Sequence, residues 1–302
     1  MVIAFVKELW RYPVKSLGGE SLSTAIIGAG GVCGDRHWTV YDPLAPIIRS
    51  AKQWPRLLEL RAQYLSSPSP EDYGDAIAPV RLLAPDGNSC ESSDLKACED
   101  WLTRWLDAPA QLKPRAPRSD RAFYALPGER TEQQIAGEIG LNAGEPLPEF
   151  GAMDVDVATV LQFHATPPGF LYDAFPVHLL TTDSLQFLAD ASGLDVDVRR
   201  FRPNLLLEMT SPAAAMTEQG WVGATLKIGE AVLLVDSPTA RCSMPGRPQP
   251  GFDLREEKGL SRAMAKHADR NLGVNARIIQ PGTVRTGDRV QLLPGRRGTG
   301  RR

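Results

Sequence analysis

The sequence has no long apolar run. Nowhere do about 20 consecutive residues read as a membrane span, although 42% of the 302 residues are hydrophobic. Residues 1–7 lack the basic start and apolar stretch of a secretory signal and read instead as a first strand. Cysteine is scarce and scattered: Cys33, Cys90, Cys98 and Cys242 form no CxxC pair. That argues against a zinc ribbon or a disulfide framework and fits a reducing cytoplasm. The four histidines, His37, His164, His178 and His267, are equally dispersed, so a His-rich metal centre is not expected. An excess of one charge is also missing. With 34 Lys and Arg against 36 Asp and Glu, the formal net charge is −2. Any anion site must therefore be local. These absences predict a cytoplasmic protein with neither nucleic acid nor membrane as partner.

What is present points to short strands joined by turns. There are 27 Gly and 25 Pro, and the length favours two subdomains. Strands are expected at 2–9, 36–41, 47–50, 57–62 and 80–84. A helix is expected over 93–106, capped by Ser93 or Asp94, with Cys98 on its apolar face. Residues 107–152 are rich in Pro, Arg and Gly and show weak periodicity. In the second half, strands are expected at 177–181 and 205–208, with a hairpin around Gly229 and closing strands at 273–279 and 289–293. Helices are expected at 183–192, capped by Thr182 or Asp183 and stopped by Gly193, and at 260–271. The expected fold is mixed but mainly β. Its parts are an N-terminal barrel-like domain (1–150), a C-terminal β-barrel with peripheral helices (151–294) and a disordered tail (295–302).

Three stretches carry chemistry. The first is Asp236-Ser237-Pro238-Thr239-Ala240-Arg241-Cys242-Ser243-Met244-Pro245, which follows the apolar run 231–235. Its two prolines argue against a helix or a central strand, which places Arg241 and Cys242 on a loop off a strand end. A guanidinium beside a thiol stabilises the thiolate, the form that attacks electrophiles or binds soft metals. An ordinary half-buried cysteine beside a surface arginine is the alternative. The second is Tyr12-Pro13-Val14-Lys15-Ser16, where Lys15 and Ser16, displayed at a loop edge, suit either a phosphate grip or a solvated turn. The third is Phe201-Arg202-Pro203-Asn204, where Arg202 and Asn204 straddle a proline at the start of a strand. His178 reads as packing.

Taken together, these loops resemble the MOSC family, named for the C-terminal domain of molybdenum cofactor sulfurases. They are most similar to its two-domain branch, which includes the mitochondrial amidoxime-reducing component and bacterial relatives. Tyr12-Pro13-Val14-Lys15-Ser16 and Gly34-Asp35-Arg36-His37-Trp38 are similar to the signatures of the N-terminal β-barrel. Phe201-Arg202-Pro203-Asn204, Arg241-Cys242, Asn271-Leu272-Gly273-Val274, Pro281-Gly282-Thr283-Val284 and Gly287-Asp288 match the MOSC domain. After Cys242 many relatives continue with threonines, whereas this chain has Ser243-Met244-Pro245-Gly246-Arg247-Pro248.

The resemblance implies a molybdenum-cofactor-dependent oxidoreductase that reduces N-hydroxylated or N-oxygenated compounds by oxygen-atom transfer. It implies Cys242 as the molybdenum ligand and Asp173 as a proton-relaying carboxylate near the metal. Lys15, Ser16 and Arg36 would hold the pterin phosphate. Arg202, Asn204 and Arg241 would hydrogen-bond the pterin, and Ala174 and Phe175 would offer backbone contacts. No cluster of four cysteines follows the C-terminal domain, so electrons are expected from a separate protein of ferredoxin, flavin or haem type. Pyridoxal phosphate is not predicted. The alternative function keeps Cys242 as a persulfide-bearing sulfur carrier.

Overall fold

The computed structural model describes residues 1–70, 72–129, 131, 133, 134 and 162–294. The first half supplies strands β1 (Val2–Arg11), β2 (Glu20–Leu22), β3 (Thr24–Gly28), β4 (Gly31–Val32), β5 (Trp38–Asp42) and β6 (Ile47–Ile48). It continues with β7 (Arg61–Tyr64), β8 (Val80–Leu83), β9 (Ser89–Glu91) and β10 (Gln111–Pro114), and with helices α1 (Leu95–Leu106) and α2 (Arg121–Tyr124). The second half supplies β11 (Val177–Thr181), β12 (Leu205–Met209), β13 (Thr225–Ile228), β14 (Ala231–Ala240), β15 (Asn271–Gln280), β16 (Gly282–Arg285) and β17 (Arg289–Leu292). Its helices are α3 (Thr182–Ser192) and α4 (Leu260–His267).

Seven strands close into a barrel in the order β12-β11-β15-β14-β13-β17-β1, with β1 pairing back onto β12. Closure leaves no open edge among them. Alternation along β14 buries Ala231, Leu233 and Val235. They join Val6, Leu179, Leu207 and Val274 in the barrel core. Outside it, α3 and α4 pack on Phe201 and Leu272 in a separate cluster. The first half builds its own core from the sheets β10-β5-β6 and β7-β8-β9 and from α1, around Val40, Leu60, Leu82 and Leu102. β1 is a barrel strand, yet the loop that follows it sends Val14 and Leu17 into that first-half core.

The mainly β architecture agrees with expectation, and several local details differ. The strand expected at 57–62 begins only at Arg61, because Pro55 opens a 3-10 turn over Pro55–Glu59. α3 is capped by Thr181, whose hydroxyl accepts from Ser184 N at 3.2 Å, not by Thr182 or Asp183. α4 stops at His267, since the chain turns into β15 from Asn271. β14 passes through Pro238 to Ala240, with register shifts at Val235/Ser237 and Pro238/Ala240. These bulges give the proline a place in a paired strand. Cys98 is buried as expected, but it is disulfide-bonded to Cys90. An eight-residue separation carries no metal-site or redox pattern that would flag such a pair. The expected domain boundary at 150/151 and the tail 295–302 lie outside the described residues.

Candidate functional site

The two N-terminal motifs are knitted together by backbone bonds. Lys15 N donates to Trp38 O, Trp38 N to Pro13 O, and Arg36 N to Tyr12 O. Tyr12 N donates to Asp35 Oδ1 at 2.8 Å. The loop is therefore not displayed at an edge: Lys15 is 4% and Ser16 5% exposed. A buried ammonium needs partners. Lys15 Nζ has two, Asp173 Oδ1 at 2.5 Å and Leu171 O at 3.2 Å. Ser16 Oγ accepts from Ala51 N at 3.0 Å.

Beside this loop, β1 and β12 run antiparallel, with Leu9 opposite Leu205. That pairing brings Phe201-Arg202-Pro203-Asn204 against Tyr12. The Arg202 guanidinium lies 4.2 Å and that of Arg36 5.2 Å from the centroid of the Tyr12 ring. Tyr12 O–H donates to Pro203 O at 3.1 Å. Arg202 Nη1 donates to Leu17 O, and Arg36 Nη1 pairs with Asp35. Asn204 is used inside the fold. Its Oδ1 accepts from His178 N at 3.1 Å and its Nδ2 donates to Trp10 O at 3.4 Å, so one N–H is left over.

Arg241 leaves the end of β14 and is anchored twice, by its N–H to Arg270 O and by Nη2 to Phe201 O at 2.6 Å. Cys242 follows it, half-buried and free of any disulfide. Two guanidinium nitrogens in this cluster, Arg202 Nη2 and Arg241 Nε, are buried with no hydrogen-bond partner among the described residues. Ala174 is half-buried and Phe175 is buried under the guanidinium of Arg277.

The charges respond to one another. Burial pulls Arg202 down to about 10, and Arg36 adds to the pull. Burial likewise brings Arg241 down to about 10, opposed by the negative charge of Asp173. Burial holds the Lys15 ammonium below its ordinary value, against the attraction of Asp173. The side chain of Asp173 is 76% exposed, yet enough protein surrounds it that desolvation opposes its ionisation; Lys15, Lys52 and Arg36 outweigh that and hold it well below the carboxylate range. Five cations, Lys15, Arg36, Lys52, Arg202 and Arg241, thus face two carboxylates, Asp35 and Asp173. The local excess is positive in a protein of net charge −2.

Sequence reasoning singled out these residues but missed how they are held. Ser16, Arg36 and Arg202 sit in the left-handed region, with φ of 71°, 53° and 55°. That conformation costs a side-chain-bearing residue about 1–2 kcal/mol and persists only where surrounding contacts enforce it. Tyr12, the plate between two guanidinium groups, was not marked as a site residue. Its only signal was an aromatic ring beside basic motif residues. Gly273 also finds its reason here: at φ +81° a Cβ would meet His178 Nε2 at 2.4 Å.

A family profile described as the MOSC N-terminal beta barrel domain matches residues 3–109, and one described as the MOSC domain matches residues 162–291. Mitochondrial amidoxime reducing component 2 of Rattus norvegicus is 26% identical over 234 residues, which cover 72% of this chain and 60% of the rat protein. This chain therefore spans less than two thirds of that relative. Mitochondrial amidoxime-reducing component 1 of Mus musculus is 23% identical, across 96% of this chain and 83% of the mouse protein. Among solved structures, the YUAD protein from Bacillus subtilis aligns with a TM-score of 0.44 at 11% identity, covering 95% of this chain and 94% of that one. With both profiles matched in chain order over most of its length, this chain belongs to the MOSC family as a two-domain member.

Proposed function

We propose that the protein is a molybdenum-cofactor-dependent oxidoreductase that reduces N-hydroxylated or N-oxygenated compounds by oxygen-atom transfer, with Cys242 as the protein ligand to the metal. The observation that carries this reading is the pair of buried, unpartnered N–H groups, Arg202 Nη2 and Arg241 Nε, inside a cluster with excess positive charge beside a free thiol. Such donors suit a ligand that brings both acceptors and a phosphate of about −2 charge. Among the described residues no group of three or more His, Cys, Asp or Glu is arranged to hold a metal. A metal here would take one ligand from Cys242 and the rest from its cofactor, which fits a dithiolene-bearing pterin.

In this reading Lys15, Ser16 and Arg36 grip the phosphate, while Arg202, Arg241 and the remaining Asn204 N–H bind the pterin. Backbone groups of Ala174 and Phe175 line the same site. The bound cofactor supplies the two-electron oxygen-transfer chemistry. Asp173, held ionised by its three cations, accepts a proton at its carboxylate before it passes one on. Reducing equivalents come from a separate ferredoxin, flavin or haem protein. The relatives named as amidoxime-reducing components support the substrate class. Among the described residues no helix is long and apolar enough to cross a membrane. A cytoplasmic setting belongs to the same proposal, but the Cys90–Cys98 pairing removes the support that scattered cysteines lent it.

The test is expression in a host that makes molybdenum cofactor, followed by metal analysis and turnover of an N-hydroxylated amidine with a chemically reduced viologen. Near-stoichiometric molybdenum, lost in Cys242→Ala, and reduction of the amidine are expected. A second reading rests on the same half-buried Cys242 beside Arg241, since a guanidinium stabilises a persulfide anion as well as a thiolate. Metal-free protein carrying an extra sulfur on Cys242 by mass spectrometry would replace the first reading with the sulfur carrier.

A further inference from the structure

The segment that begins at Cys242 is tied down far more heavily than a loop beside a thiol requires. Arg200, only 3% exposed, donates from Nη1 to Pro245 O at 3.2 Å and Arg247 O at 3.3 Å, and from Nη2 to Arg255 O at 2.7 Å. One guanidinium thus gathers three carbonyls from both arms of the loop after Cys242. A rigid planar fork does this, and a lysine's single ammonium does not. On the loop's other side, Met244 packs against the core of the N-terminal domain, and Pro245 and Gly246 are buried. Gly246 lies so close to the returning arm that a Cβ would meet Glu257 O at 2.9 Å.

Arg247 then crosses to the first domain. Its Nη1 donates to Ala51 O at 2.5 Å, while Ala51 N donates to Ser16 Oγ at 3.0 Å. A continuous set of bonds therefore runs from Arg200, beside the Arg202 motif, through the segment after Cys242, to the Lys15-Ser16 loop. Cys242 lies between this strap and the two anchors of Arg241.

We propose that Arg200 and Arg247 are positioning residues for Cys242, acting by pinning segment 243–247 against the N-terminal domain. The proposal rests on Cys242 being the working thiol, which both readings of the function share, and it requires no bound cofactor. It also gives the departure from threonines after Cys242 a physical role: Met244, Gly246 and Arg247 are the residues that make the strap.

The experiment uses the full chain, purified without cofactor, and follows iodoacetamide alkylation of the Cys242 peptide by mass spectrometry. The buried Cys33, 6% exposed, is the internal control for general loosening. In Arg247→Ala, loss of one guanidinium–carbonyl bond should raise the Cys242 alkylation rate about tenfold with Cys33 unchanged. Arg247→Lys, which still reaches a carbonyl, should restore most of the original rate. Arg200→Lys should shift Cys242 in the same direction, and if it does not fold, the Arg247 pair decides. An unchanged Cys242 rate in Arg247→Ala overturns the proposal. A parallel rise at Cys33 and Cys242 does so too, because the effect is then loss of fold. Molybdenum content of the unmodified protein tests the function separately, so the two failures are distinguishable.

Discussion

Arg202 lies over the face of Tyr12 with its guanidinium carbon 4.2 Å from the ring centroid, and Arg36 shares the same ring at 5.2 Å. Arg36 disfavours the charge on Arg202, and the carboxylates of Asp35 and Asp173 favour it. The face of the ring adds its own attraction for both cations beside the proposed phosphate site. Tyr12→Phe keeps the ring and loses only the bond to Pro203 O, which should cost about 1 kcal/mol in urea unfolding. Tyr12→Leu also removes the cation–π contacts and should cost about 3 kcal/mol. It should lower cofactor occupancy as well. Equal losses in the two variants would show that the ring face contributes nothing.

Asn204 joins β1 to β11 through its side chain. Asn204→Leu would strand the buried His178 N–H and leave Trp10 O without its side-chain donor. Unfolding free energy should fall by about 2–3 kcal/mol. A loss under about 0.5 kcal/mol, typical of an uninvolved surface position, would contradict this.

Gly273→Ala should destabilise the barrel by about 2 kcal/mol or more, because left-handed strain adds to contact with His178 and Leu179 O at 2.4 and 2.5 Å. The matched control is Gly128→Ala, where an added Cβ has nothing within 4 Å. Similar melting temperatures for the two variants would count against the steric argument.

Stability should fall on mild acidification. His37 is held down to about 3 by burial, then by Arg115 and Arg11, from an ordinary value of 6.5. His178 is lowered well below the same value by burial and by Arg241. The unfolded chain therefore takes up protons that the folded chain refuses. The two histidines cost nothing above the ordinary value of 6.5, and stability is lost progressively as pH falls below it toward the folded values. Each contributes a slope approaching about 1.4 kcal/mol per pH unit. Urea titrations at about pH 7.5, 6 and 5 measure this. A flat profile over that range would mean both rings take up protons as readily in the fold as in the unfolded chain.

Much of the architecture was legible locally. Short apolar runs marked β11 and β12, and helical spacing with Asp94 marked α1, where Asp94 Oδ1 accepts from Ala97 N at 3.0 Å. The loop position of Arg241 and Cys242 followed from their prolines. The route was less clear, because bulges let β14 keep Pro238. The burial of Lys15 and Ser16 was not legible. The sequence around them is that of a turn, and the segments that enclose them, around Ala51 and 171–173, lie elsewhere in the chain.

By itself, the sequence determined which segments extend or coil and which motif residues are available, because periodicity, capping and proline act within a few neighbouring residues. Only the tertiary structure decided that these residues form one site. Lys15 meets Asp173 across 158 positions, Arg202 meets Leu17 across 185, and Arg247 meets Ala51 across 196. Left-handed backbone at Ser16, Arg36 and Arg202 is stable only once those distant contacts exist. Clustered positive charge and the strap that holds Cys242 are likewise products of chain closure, which no local pattern encodes.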